Sequence, residues 1–113
     1  MHIGLCEGRH EIKTNEGEAL DGFIFGTVDN PMEFSSHFNT ACEFFERLYE
    51  TFTSAPTYTS MSMFDCNLYV TGLTSLLTAT LLAANSVGVD TLTLMHYDRE
   101  SGKYLPQDVS DLI

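Results

Sequence analysis

The chain has 113 residues, 43% of them hydrophobic, and carries 16 acidic against five basic side chains, for a formal net charge of −11. That length supports a single hydrophobic core and therefore a single domain, and the balance of apolar and polar residues excludes wholesale disorder. So acidic a chain is excluded as a binder of long nucleic acid, whose affinity comes mainly from Lys and Arg neutralising phosphates.

In chain order, residues 2–5 form a short apolar run with the pattern of a strand. The charged segment Glu7-Gly8-Arg9-His10-Glu11 follows, and a mobile, Glu-rich connection is expected as far as Asp21. Residues 22–26, Gly-Phe-Ile-Phe-Gly, are aromatic and β-branched between two glycines, which predicts a buried inner strand. Asn30-Pro31-Met32-Glu33 reads as a helix start, with Asn30 as cap, Pro31 at the first helical position and Glu33 reaching back. Phe34, Phe38, Ala41, Phe45, Leu48 and Phe52 then recur every three or four residues, one apolar stripe that should face the core. Glu43, Glu46, Arg47 and Glu50 fall on the opposite, solvated side.

Residues 51–63 are rich in Ser and Thr, contain Pro56 and lack periodicity, so a loop is expected; as a lid it would bring Tyr58 or Met61 to a ligand. A strand over 68–70, a Thr-Gly-Leu-Thr turn, a helix over 73–87 and a strand over 91–97 make the best-defined unit, because parallel strands need a crossover that packs back on the sheet. The helix carries no charged residue, so it is either sandwiched or placed at a subunit contact, and in so small a domain oligomerisation explains it better. Gly88 should stop it. After Asp98-Arg99-Glu100-Ser101-Gly102 the chain can return through Lys103-Tyr104-Leu105 as a hairpin arm that Pro106 ends, and the last residues carry no signal. The order β-β-α-β-α-β-β predicts a small α/β domain with a mixed sheet of about four or five strands, made of two helices and no repeats.

Cys6, Cys42 and Cys66 are dispersed, without a CxxC pair, and read as reduced, buried thiols. The first residues lack an export pattern, and no apolar run approaches the roughly 20 residues of a membrane span. A cytoplasmic location is expected.

The chemistry is concentrated near strand ends. Gly72 lets the backbone approach a ligand, Thr71 and Thr74 offer hydroxyls, and with Leu73 they border the first unpaired N–H groups of a helix, where an anion is stabilised. Yet the turn has neither a P-loop ending nor a dinucleotide-binding glycine pattern, and a glycine needed only for a tight turn explains it as well. Arg9 and His10, and the run His96-Tyr97-Asp98-Arg99, supply guanidinium groups for phosphate, an aromatic ring for a base and a carboxylate for a ribose hydroxyl. Both arginines can equally pair with surface carboxylates. No acid–base pair is aimed at one atom by spacing alone, no metal-binding constellation is present, and no catalytic residue or cofactor is assigned.

The segments CEGRHEI, GFIFGTVDNPMEF, LYVTGLTSLL and LTLMHYDRESGKYLPQ together resemble the first-described phage family of Thoeris anti-defence proteins, over most of the chain. The resemblance implies a non-enzymatic sponge that sequesters cyclic ADP-ribose isomers made by host TIR-domain proteins, and cyclic di- or trinucleotides of CBASS in separate pockets. It also implies a homohexamer. By motif position Arg9 and Arg99 would grip the phosphates of the cyclic oligonucleotides, with His96, Asp98 and the turn of Thr71, Gly72, Leu73 and Thr74 as further pocket residues. A ring-nuclease-like enzyme and a merely structural oligomerising protein are the readings from other classes.

Overall fold

Parallel strands cannot be joined by a tight turn, so each parallel pairing here demands a crossover over one face of the sheet. The computed structural model describes residues 1–8, 11–54, 65–71 and 73–113, with the side chains of 52–54 outside that description. Five strands, β1 (His2–Cys6), β2 (Gly22–Phe25), β3 (Asp65–Tyr69), β4 (Thr91–Asp98) and β5 (Lys103–Asp108), form one sheet in the order β2-β1-β3-β4-β5. The first four are parallel, and β5 closes antiparallel on β4 as a hairpin arm. Two helices, α1 (Phe34–Ser54) and α2 (Thr74–Val87), carry the crossovers from β2 to β3 and from β3 to β4. This is the expected small α/β domain with a mixed sheet.

Side chains alternate across each strand, and the register sorts them into two layers. Ile3 and Leu5 of β1, Cys66 and Leu68 of β3, and Leu92 and Leu94 of β4 join one core with Ala41 and Phe45 of α1 and Leu76, Ala83 and Ala84 of α2. Each fully buried Leu or Phe of this layer contributes about 1.5–3 kcal/mol. The two helices also pack on each other. Thr80 of α2 is fully buried and donates its hydroxyl to the Leu76 carbonyl at 2.8 Å, so its hydroxyl is not orphaned. Gly88, at φ 86°, adopts the left-handed conformation that ends α2, its N–H bonding the Ala84 carbonyl at 3.0 Å.

Several expectations need correction. β2 is an edge strand rather than an inner one. Its apolar residues are buried by α1 on one side, and the Phe23 ring on the other lies over Gly4, where a β-carbon would overlap it. Helix α1 begins at Phe34, because Asn30 accepts from the Met32 N–H at 3.0 Å and from the Glu33 N–H through its own carbonyl at 3.4 Å. The Asn30/Glu33 pair thus closes a turn before the helix instead of a capping box. Phe34, assigned to the core stripe, is 60% exposed as the first residue of α1. The helix runs on to Ser54, and the remainder of the anticipated loop, with Tyr58 and Met61, lies outside the described residues. Pro106 does not end β5: it sits on the edge strand opposite Met95, where a missing N–H costs no ladder bond. The final residues also contribute, through the buried Val109 and a short 3-10 helix at Ser110–Leu112. Leu82 on the outer side of the uncharged α2 is 57% exposed, so the helix is not sandwiched within the chain.

All three cysteines are free thiols, Cys6 and Cys66 buried and Cys42 half-buried. Burial pushes the Cys66 thiol from its ordinary 9.0 up to about 12. A group whose folded pKa is raised lends stability that is complete below its unfolded value and is lost as pH rises toward the folded one. Stability should therefore decline between about pH 9 and 12, with the phenols of buried Tyr69 and half-buried Tyr104, also raised, adding to the upper part. Urea midpoints measured across this range for the wild type and Cys66→Ala should show a shallower alkaline decline in the variant; parallel curves would remove Cys66 as a cause.

Candidate ligand-binding cleft

At the C-terminal edge of the sheet the connections of two neighbouring strands part. The chain leaving β1 crosses one face of the sheet on its way to β2, while the chain leaving β3 enters α2 on the other face. Open α/β sheets bind ligands in the crevice outside the strand ends at such a divergence. Thr71 spans it, its half-buried hydroxyl donating to the Cys6 carbonyl at 3.4 Å.

Within the connection after β1, residues 13–19 form a hairpin. Lys13 and Ala19 pair antiparallel, Thr14 N–H donates to the Glu18 carbonyl at 2.8 Å, and Gly17 takes the positive φ of 83° that the tip requires. The buried Thr14 hydroxyl accepts the Glu18 N–H at 3.1 Å. Next to it, Asn15 clips this strap to the far edge of the sheet. Its carboxamide donates to the Tyr104 carbonyl at 3.0 Å and accepts from the Tyr104 N–H at 2.8 Å, replacing the partner an edge strand lacks.

Between strap and sheet lies a cleft of about 770 Å³, bounded by residues 11–15, Val70 and Thr71 just after β3, Tyr97 of β4, and residues 101–104. Its floor is aromatic. Tyr69 packs edge-on against Tyr104 with centroids 4.9 Å apart, Tyr104 against Tyr97 at 5.3 Å, and the Tyr69 hydroxyl meets His2 Nδ1 at 2.9 Å. Exposure rises along this series from 1% at Tyr69 to 55% at Tyr97. Burial raises the Tyr69 phenol, with Glu16 and Tyr104 adding to it, and burial followed by Tyr97 raises Tyr104. Both therefore stay neutral and add no negative charge to the cleft at neutral pH.

Charge is distributed unevenly around it. Lys13 and Lys103 line the cleft with Glu11 as the one carboxylate among the described residues, and Arg99 lies in the turn whose later residues, Ser101 and Gly102, form the rim. Two of the chain's five basic side chains thus face one cleft of a protein with charge −11.

Of the residues singled out in the sequence, Thr71 and Tyr97 meet in this cleft. Arg9, His10 and Gly72 lie outside the described residues. Leu73 and Thr74 are exposed at the start of α2, where Leu73 holds the N-cap position without a side-chain cap hydrogen bond, and they do not line the cleft. Strand alternation separates the His96–Arg99 run: His96 and Asp98 point to the opposite side of β4 from Tyr97. His96 Nε2 meets Gln107 Oε1 at 2.8 Å. Asp98 faces its own turn, where the Ser101 hydroxyl, and after it the Ser101 and Glu100 amides, hold its carboxyl below the usual carboxylate range. Sequence reasoning missed Lys13, Asn15, Lys103 and Tyr104 as neighbours; the Asn-Glu-Gly turn after Thr14 was the available sign of a hairpin tip.

Among the described residues no group of three or more His, Cys, Asp or Glu side chains is placed to hold a metal ion, and no helix is long and apolar enough to cross a membrane. No protein-family model, curated protein or solved structure matches the chain.

The clip makes a definite prediction. Asn15→Ala removes two hydrogen bonds at an exposed edge, a loss of about 1–3 kcal/mol that falls on local opening of the strap more than on global unfolding. Amide hydrogen exchange at Tyr104 and across residues 14–18 should accelerate about tenfold or more while the core amides of β3 keep their protection. Unchanged exchange in both segments would show that the clip does not hold the strap.

Proposed function

We propose that this protein captures compact nucleotide signals of the cyclic ADP-ribose type and holds them without chemical change. The observation that carries the reading is the cleft at the parted strand ends, where two lysines and an aromatic floor meet in a chain otherwise strongly negative. An anion repelled by the overall field is retained only where local cations, backbone donors and shielding from water combine. Resemblance to the phage Thoeris anti-defence family supplies the ligand class and the setting, the cytoplasm of an infected host in which TIR-domain proteins make the signal. By the same resemblance a separate pocket takes cyclic di- or trinucleotides, with Arg9 and Arg99 on their phosphates.

Incubated in excess with cyclic ADP-ribose isomers, the protein should remove them from an ultrafiltrate, and heat denaturation should return them intact. Recovery of an opened ring, or turnover above one per site, would replace this reading with a ring nuclease. Undiminished ligand in the filtrate would end both.

A homo-oligomer, a hexamer by resemblance, is part of the proposal. The outer side of α2 and the start of α1 expose Leu82 and Phe34 in a groove of about 490 Å³ with no charged residue among its described lining. Copies of a −11 chain repel least where charge is absent. Sedimentation velocity should give a mass several times 12.6 kDa, and Leu82→Glu should lower it; a wild-type monomer would exclude the assembly.

A further inference from the structure

We propose that the two walls of the cleft recognise different parts of one ligand: Tyr97, backed by Tyr104, stacks on a planar base, and Lys13 and Lys103 close on a phosphate between strap and hairpin. This rests on the nucleotide-capture reading and assigns the contacts within it.

Tyr97 shares a sheet face with Met95 and Tyr69, which are buried, yet it remains 55% exposed at the open end of the row. Its edge-to-face contact with Tyr104, at an interplanar angle of 62°, holds the ring in place beside the cleft. A fixed, half-exposed aromatic ring stacks a base at small entropic cost, and such stacking tolerates any base. Tyr104 is in turn fixed from behind by Tyr69 and through its backbone by Asn15.

The lysines come from different elements, Lys13 from the strap and Lys103 from the first position of β5. Despite the sixteen carboxylates of the chain, neither ammonium has an ion-pair partner among the described residues. A phosphate between them bridges strap and hairpin, the same two elements that Asn15 joins, so binding tightens the wall that encloses it. Glu11, on the same arm as Lys13, accepts hydrogen bonds from ribose hydroxyls or an amino group and repels phosphate placed at its end. The ligand's orientation follows from this division of charge.

Calorimetry with three probes tests the assignment: cyclic ADP-ribose, adenosine as a base without phosphate, and ribose 5-phosphate as a phosphate without base. Tyr97→Leu should weaken cyclic ADP-ribose and adenosine by about tenfold or more and leave ribose 5-phosphate unchanged, with Tyr97→Phe restoring both. The double variant Lys13→Ala/Lys103→Ala should do the reverse, weakening cyclic ADP-ribose and ribose 5-phosphate, sparing adenosine and flattening the dependence on salt. Thermal melts establish that each variant folds. If all variants bind cyclic ADP-ribose as the wild type does, the assignment fails while capture stands. If Tyr97→Leu weakens all three probes equally, the ring is structural and the assignment fails. A wild type that binds none of the three probes overturns the capture reading itself, and the assignment with it.

Discussion

Once β1 and β3 lie side by side as parallel strands, their continuations must find room, and they do so by leaving on opposite faces of the sheet. Everything notable about this molecule follows from that parting. It frees one face for two helices and the main core, and it leaves the other to be covered by a connection without a helix among its described residues. A hairpin clipped at Asn15 is the solution adopted, and the space between that hairpin and the strand ends is the cleft.

The electrostatics make sense in the same frame. A chain of charge −11 is a poor generic anion binder, and screening at physiological salt limits the reach of each surface carboxylate to about 8 Å. What an approaching ligand meets at close range is then decided by the lining. Two lysines, the neutral Tyr104 phenol and, among the described lining residues, a single carboxylate present a local surface of opposite sign to the whole. Retention without turnover, as proposed, needs no proton transfer and hence no acid–base pair, only groups already positioned before the ligand arrives.

The aromatic row from His2 through Tyr69 and Tyr104 to Tyr97 links burial to accessibility. At its inner end a hydrogen bond fixes a buried phenol. At its outer end a ring stands half in water. Rigid support from below is what gives an exposed side chain a defined position, and it lets the sheet rather than a loop set the geometry of the cleft. The thiol of Cys66, on the opposite face, is fully buried in the core.

Local signals were enough to read the order of elements, the crossover from β3 through α2 to β4, the stop at Gly88 and the mixed α/β class, because periodicity and turn chemistry act over a few residues. Thr71, two residues past β3, and Tyr97, near the end of β4, were singled out in the sequence for the same reason, and the sheet brings both to the cleft. The edge position of β2, the exposure of Phe34 and the continuation of β5 through Pro106 were not legible, since an apolar strand looks alike whether a neighbouring strand or a helix buries it. Nor was the pairing of Asn15 with Tyr104, separated by 89 residues, or the meeting of Lys13 with Lys103. Local sequence specifies which way each segment folds; which segments face each other is decided only when the strands take their order in the sheet, because that order is a property of long-range packing and has no local signature.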